Sequence, residues 1–510
     1  MKKRSPEYKP LLFTTTMRNP ERLSDFLRIL KEYNGKTLDN DVIMSVVRNL
    51  ISNRIYETMY MCRNCDIRKK LEEGLNLSPK EIEEIIKNSP QEHKEAGFDR
   101  GWSSRFDTWY KLAKELGFVY YEYGKKIRFS EIGLRLVDNE HPEFEQQAFL
   151  NAFVKYQRNN PFKRVLNENV PLILLLQVIK RLNRDTKYNR KGISRKEIPI
   201  LLCWRDSNYE ALYSKIREVR DKYRYNPSGE VILDICDEQT GGRHSSNKDQ
   251  TILQEYPDEF LRKMKLTGLI SIRGYGAFID LNYNEIEKIE YAIQKYSRYE
   301  KFDSEEKYFD YMSSIDEKLI SFVAKEIGIK GEMNLLLKWA RHYKWEGIKE
   351  EMIILSANRS SRDAVLKLIP EPLRLEFLTS LSIVIKYPKI VVKPNYISDD
   401  EGLPSSHASG GKPDIECEEM KKFILVEVTL LTGTQQTIRE MPSISRHLKE
   451  RLDRKDDAIS LFVSPSVHQD SLKWSEFEKY KKGGIRIYPL SISEFLSKID
   501  EDKVLYTSEE

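Results

Sequence analysis

Two carboxylates thirteen residues apart, Asp414 and Glu427, carry the strongest chemical signal in the chain. Asp414 follows Pro413 at the end of a glycine-rich loop (SSHASGGKPD), and Glu427 stands in FILVEVT between Val426 and Val428. Apolar residues on both sides of Glu427 predict a strand buried on both faces, where an unpaired carboxylate is costly. Glu427 must therefore meet a cation, a proton or water at the end of the strand. The spacing allows two adjacent strands of a hairpin to present both carboxylates together. Two carboxylates, a backbone carbonyl and waters make a hard-oxygen site of the kind Mg²⁺ prefers when a phosphate completes its shell. Such an ion polarises a phosphoryl group and activates an attacking water. A purely structural carboxylate pair is the competing reading.

The elements that must hold these groups read as a mixed α/β domain. IVIKYPKIVV, FILVEVTLL, AISLFVS and IRIYPL are short apolar runs suited to buried strands, separated by helix-like stretches. They occupy the C-terminal third of a 510-residue chain, a length that suits about three domains. Upstream, helical periodicity dominates. ERLSDFLRILKEY and NDVIMSVVRNLISNRIY repeat apolar residues every three or four positions, and SPKEIEEIIKN opens on a helix-start signal at Ser78-Pro79. Between them and the α/β region, Tyr283 to Gly347 is highly charged and helical, as a linker would be.

Two places in the first half change texture in the same way. SSRFDTWYKLAKELG runs into FVYYEYGKKIRF, and YPDEFLRKMKLTG runs into LISIRGYGAFIDL. Helix, glycine stop and β-hairpin is the order in which a winged-helix module ends, with the helix available to a DNA major groove and the hairpin as wing. Two unrelated helix-and-hairpin packings are the alternative. From Arg184 to Arg224 there are twelve Lys/Arg and six Asp/Glu, with Tyr188, Tyr209, Tyr213, Tyr223 and the following Tyr225 interleaved among the bases. Such a segment can track a phosphate backbone, or be a solvated helical face with tyrosine anchors.

Composition excludes several classes. With 40% hydrophobic and 32% charged residues the chain can build packed cores and is not disordered. Its longest apolar run, Val170 to Ile179, has ten residues, against the roughly 20 that a bilayer span needs. MKKRSPEYKP is followed by no apolar segment, so no signal peptide is expected and the cytoplasm is the default address. Five cysteines make no disulfide framework, and the CxxC of Cys62 and Cys65 lacks a second ligand pair for zinc.

The stretch from His407 to Leu448 resembles the catalytic segment of the AlwI-type family of type IIS restriction endonucleases, which includes site-specific nicking enzymes and belongs to the PD-(D/E)xK nucleases. The resemblance rests on the HAxGxxPD approach (His407, Ala408, Gly410, Pro413, Asp414), the EVT strand, Glu440 and the Arg446-His447 pair. It extends to IRIYPLSISEF, to Glu376-Phe377-Leu378 and to LTGLISIRG, in the same order along most of the chain. Thr429 stands where the PD-(D/E)xK pattern has lysine, a departure that the AlwI-type family shares. The charge that lysine would supply then falls to Lys412, Arg446 or a second metal ion. Gln435 and Gln436 offer only neutral contacts.

The resemblance implies Asp414 and Glu427 as metal ligands with the Val428 carbonyl, Glu376 as a helix carboxylate completing the acidic cluster, and Glu440 and His447 as accessory groups. Pro442 falls between the last two and leaves their shared helix face open. The implied cofactor is Mg²⁺, with Mn²⁺ as a substitute. The implied partners are double-stranded DNA and, functionally, a cognate DNA methyltransferase. Transient dimerisation of the nuclease domain on DNA is a route to cutting the second strand, and no membrane is involved.

The expected architecture is a mainly α region over 1–283 with winged-helix-like modules at about 96–140 and 243–282, a helical linker over 284–345, and a PD-(D/E)xK nuclease domain with a mixed central sheet over 346–510. Candidate DNA contacts are Arg100, Ser103, Ser104 and Arg105 in the first module. In the second they are Arg243, His244, Ser245, Ser246 and Lys248, then Arg262, Lys263 and Lys265. Three functions fit this frame: a type IIS endonuclease, a strand-specific nicking enzyme, or a winged-helix regulator with an inactive nuclease-like domain.

Overall fold

The structure, a computed structural model, describes residues 6–13, 17, 19–20, 22–72, 75–95, 97–138, 143–163, 165–188, 191–242, 248–325, 328–408, 410–419, 422–454, 457–481 and 484–501. The chain divides into two units, Met1–Ile55 with Pro90–Lys325, and Tyr56–Ser89 with Glu326–Glu510. The second unit therefore includes an excursion from the first hundred residues. Of the stretch read as a linker, 284–345, the part through Lys325 belongs to the first unit. Tyr308, Phe309 and Met312 are buried there, an apolar stripe on a helix, Glu305–Ser313, that its many charges disguise.

The first unit is mainly helical, as the periodicity requires. Asn40–Ser52 buries Ile43, Val46, Val47, Leu50 and Ile51, and Asp39 caps it by accepting from the Val42 N–H. The apolar run at Val170 forms the helix Pro171–Leu182, buried along most of its length. Helix, glycine and hairpin follow one another at both expected places. Trp102–Glu115 leads to Val119–Tyr120, antiparallel to Arg128–Phe129. Tyr256–Lys265 leads to Ile270–Arg273, antiparallel to Phe278–Leu281, with Ile193–Ser194 as a third strand. Gly117, at φ +78°, makes the first of these turns where a Cβ would come within 2.7 Å of the Met312 backbone. The basic, tyrosine-rich segment is partly internal: Arg220 is fully buried against Glu197 at 2.7 Å, and the Tyr213 hydroxyl donates to Asp185. Among the described residues no helix is long and apolar enough to cross a membrane.

The second unit is built on a five-stranded mixed sheet. Its helix α1 (Glu371–Lys386) precedes strands β1 (Val391–Pro394), β2 (Ile415–Glu419) and β3 (Lys422–Val428). Helices α2 (Thr434–Arg439) and α3 (Met441–Leu452) lead to β4 (Asp457–Ser464), and β5 (Ile487–Ser491) follows. The strand order is β5-β4-β3-β2-β1, parallel across β3, β4 and β5 and antiparallel at β2 and β1. Of the run IVIKYPKIVV, the first half is helical. Ile383 and Val384 are buried in the last turns of α1, and Pro388 bars a helical conformation for Tyr387, so a strand begins only at Val391. Below the functional end of β3, Leu425, Phe462 and Ala458 pack with Met441, Ile444 and Leu448 of α3. That core fixes α3 against the sheet.

Candidate active site

Strand register brings the two carboxylates together. Val426 of β3 pairs with Ile415 of β2, so Asp414, one residue before β2, falls beside Glu427. The Asp414 N–H donates to Glu427 Oε2 at 3.3 Å, and the Val428 N–H donates to Asp414 Oδ2 at 2.8 Å. This is the hairpin juxtaposition that the thirteen-residue spacing allows. Glu427 is 8% exposed, in a strand whose Ile424, Leu425 and Val426 are buried.

Three more acidic or basic elements converge on this corner. Glu376, 3% exposed on α1, leaves its Oε2 without a hydrogen-bond partner, while its Oε1 lies 2.8 Å from His407 Nδ1. Glu440 joins α2 to α3 and accepts from the Thr429 hydroxyl at 3.1 Å. Pro442 lies in the first turn of α3, where its missing N–H breaks no helical bond. The chain therefore stays helical on either side of Glu440, and His447 of α3 reaches Glu427, with Nδ1 2.8 Å from Oε1. His447 Nε2 is buried and has no partner.

The electrostatics match a site built for a cation. Burial, with the charges of Glu376 and Glu427 beside it, pushes the Asp414 carboxyl well above its ordinary range. Burial does the same to Glu427, reinforced by Glu440 and Glu376 and opposed by the Asp414 N–H and the Arg446 charge. Glu440 is raised by burial, against the Thr429 hydroxyl and the charges of Arg439 and His407. Burial and Arg446 lower His447, which favours a neutral imidazole. Of the two side chains named as replacements for lysine, Arg446 exerts its charge on Glu427, and Lys412 is exposed in the loop before Asp414. Gln436 is a buried strut, donating to the Leu431 and Ser466 carbonyls.

Among the described residues no group of three or more His, Cys, Asp or Glu side chains is arranged to hold a metal ion. Two carboxylates and a backbone carbonyl form a smaller donor set. Mutually repelling carboxylates in a low-dielectric corner and an orphaned Glu376 oxygen suit a hard cation that would neutralise them. Asp414, Glu427 and Val428 thus fit a magnesium ion by donor chemistry.

The candidate DNA contacts separate into groups. Arg100 is exposed and paired with Glu92, and the Ser103 hydroxyl donates to Asn40 at 2.7 Å. Ser104 is fully buried and ties the chain to the Asp99 carbonyl and the Glu95 N–H, so it faces the interior. Arg105 lies 2.6 Å from His93 Nε2. In the second module Lys263 and Lys265 are also interior: Lys263 pairs with Glu259 at 2.9 Å, one turn back on a helix that buries both lysines on different sides. Arg262 donates to Asn19, and Lys248 is exposed. Arg243, His244, Ser245 and Ser246 lie outside the described residues. All five cysteines are free thiols. The contacts of His407 with Glu376 and of Thr429 with Glu440 were not foreseen from the sequence, where only the HAxGxxPD approach and the EVT strand drew attention to either residue.

A family model described as AlwI restriction endonuclease matches residues 114–336 and 324–497. A search of curated proteins returns no match. Among solved structures, the chain is similar to the small subunit (R.BspD6I2) of the heterodimeric restriction endonuclease R.BspD6I, at 23% identity over 31% of this chain and 77% of that one, with a TM-score of 0.26.

Proposed function

The chain belongs to the AlwI restriction endonuclease family, a family of DNA-hydrolysing nucleases, and on that premise we propose that it is a type IIS enzyme. It binds a short asymmetric double-stranded DNA site through its first unit, with the two helix-and-hairpin segments as winged-helix readers. It then hydrolyses phosphodiester bonds a few nucleotides outside that site in a Mg²⁺-dependent reaction. The observation that carries this reading is the joined pair of Asp414, half-buried just before β2, and Glu427, buried in β3, with Glu376, Glu440 and His447 around them.

Asp414, Glu427 and the Val428 carbonyl would hold Mg²⁺, which when bound polarises the phosphoryl group and eases deprotonation of the attacking water. The remaining work falls to the chain's own groups. Glu376 offers its unpartnered Oε2 to orient water. His447, whose imidazole burial and Arg446 hold toward the neutral form, lies with Nδ1 2.8 Å from Glu427 Oε1, and with the proton on Nδ1 it would keep a lone pair on Nε2 to take a proton. Thr429 holds Glu440 rather than supplying charge, so Arg446 is the cation nearest in effect to the absent lysine. A cognate DNA methyltransferase protects host sites, and a second copy of the nuclease domain cuts the second strand.

Incubating supercoiled plasmid with protein and Mg²⁺, then sequencing the ends, tests this directly. Cuts at a fixed offset from one asymmetric sequence are expected, lost in Asp414→Ala and Glu427→Ala with specific DNA binding retained. A product that stops at the nick identifies a strand-specific nicking enzyme. Full activity of Glu427→Ala, after EDTA treatment and Mg²⁺ restoration, would falsify the assignment.

A further inference from the structure

His407 has no role in the mechanism above, yet the fold holds it firmly against Glu376. It follows the short strand Pro404–Ser406, which pairs with Ile397–Ser398 and packs on α1. The turn between those strands is built around Asp399, fully buried, whose Oδ1 accepts from the N–H groups of Glu401 at 3.0 Å and Leu403 at 2.9 Å. Gly402, at φ +82°, completes it where a Cβ would come within 2.6 Å of Leu335 Cβ. The ribbon ends with His407 Nδ1 2.8 Å from Glu376 Oε1. The Glu376 side chain is 4% exposed and the His407 side chain 32%.

The arrangement recurs around the cluster. His447 Nδ1 lies 2.8 Å from Glu427 Oε1, and the Thr429 hydroxyl donates to Glu440 Oε1 at 3.1 Å. Glu376, Glu427 and Glu440 are thus each tied at one oxygen by a side chain from a different element. Fixing one oxygen of a planar carboxylate fixes the direction of the other. For Glu376 that other oxygen is Oε2, buried and without a partner, a costly state unless a ligand arrives.

We propose that His407 is a positioning residue for Glu376: its Nδ1 fixes Oε1 and so sets the direction of Oε2, the oxygen offered to the water or metal ion of DNA hydrolysis. The inference deepens the nuclease reading and rests on it. His407 acts through Glu376, so its effect must vanish when that carboxylate is gone.

The test is a double-mutant cycle on the full chain, with two readouts: Mn²⁺ binding to the protein alone by electron paramagnetic resonance, and single-turnover cleavage of target DNA. Outer-shell partners of this kind are worth about 10–100-fold in metal affinity or activity, and His407→Ala should lose that much in both. In a Glu376→Ala background the same change should cost less than about 2-fold, because coupled sites are not additive. His407→Asn, whose amide nitrogen falls near the Nδ1 position, should recover most of the loss, and His407→Gln should not. Losses that multiply in the double variant overturn the proposal. So does His407→Gln outperforming His407→Asn, which would place the imidazole's other nitrogen on the phosphate. Unchanged Mn²⁺ affinity in His407→Ala overturns it as well. If either alanine variant fails to fold, His407→Asn against His407→Gln and Glu376→Gln carry the comparison. Failure of the wild type to cut any DNA refutes the nuclease reading instead, and the Mn²⁺ titration still reports on the His407–Glu376 pair.

Discussion

Replacing Asp414 with asparagine should make the metal-free protein more stable at alkaline pH while abolishing cleavage. Asparagine keeps an oxygen to accept the Val428 N–H, which lies 2.8 Å from Asp414 Oδ2, so the corner retains its geometry. What it removes is a half-buried charge that faces Glu376 and Glu427. An acid whose pKa is raised by folding contributes stability that is fully present below its unfolded value, near 4, and lost as pH rises through the folded value. Each unit of that rise costs about 1.4 kcal/mol above the folded pKa. Against it, the Val428 bond changes from charge-assisted to neutral, a loss of about 1 kcal/mol. With the Asp414 carboxyl well above its ordinary range, the balance favours asparagine at pH 8 and vanishes, or slightly reverses, near pH 4. Hydrogen exchange on peptides spanning 415–428, in EDTA across that pH range, reads the second unit by itself. Saturating Mg²⁺ should reverse the order at pH 8, since ligand at 100 times its Kd stabilises the wild type by about 2.7 kcal/mol. An asparagine variant less protected than the wild type at pH 8 without metal, or a wild type indifferent to Mg²⁺, would refute the reasoning.

Other perturbations test the supports of the site and its use. Thr429→Val should lower cleavage about 10-fold with DNA binding intact, and Thr429→Ser should restore it, because only the hydroxyl reaches Glu440. Phe462→Ala opens the core beneath Glu427 and should cost about 3–5 kcal/mol, read as the urea midpoint of the second unit. Arg220→Met leaves Glu197 buried without its cation and should destabilise the first unit by about 3–5 kcal/mol, seen as a lowered thermal midpoint. With one such acidic corner among the described residues, cleavage of a one-site plasmid should pass through a nicked intermediate and accelerate more than linearly with protein; linear product without a nicked lag would contradict a single active site.

Much of the fold was legible because local pattern and tertiary environment agree. The capping box at Ser78 and Glu81, the stripe of Asn40–Ser52 and the runs that became β3, β4 and β5 all point one way at every level. Where they disagree the sequence misleads. IVIKYPKIVV is β-branched enough for a strand, but its first half forms the last turn of α1, where Ile383 and Val384 are buried, rather than part of a sheet. IECEE, three of whose five residues are acidic, was not recognisable as a strand, yet it is the antiparallel neighbour of β3 that delivers Asp414. The assignment of Tyr56–Ser89 to the second unit leaves no local trace, because its helices carry the same stripe that would suit either unit.

The site shows the same division more sharply. Charge separation along the chain is enough to nominate Asp414 and Glu427, since a carboxylate inside an apolar strand has few physical explanations. The groups that hold the acids in place carry no such signal. Thr429 reads as a lost lysine when judged against a pattern, and as a hydrogen-bond donor to Glu440 once the turn after β3 is seen. His407 reads as one polar residue in a loop, and its meaning depends on a ribbon that returns it to a helix thirty-one residues earlier. Lys263 and Lys265 err in the other direction, since a basic helix end resembles a DNA contact until burial shows both lysines inside. A ligand to the reaction is thus visible where its type violates its surroundings. A support is visible only where two distant segments meet, and on the proposed nuclease reading the supports are what would turn this cluster of acids into an active site.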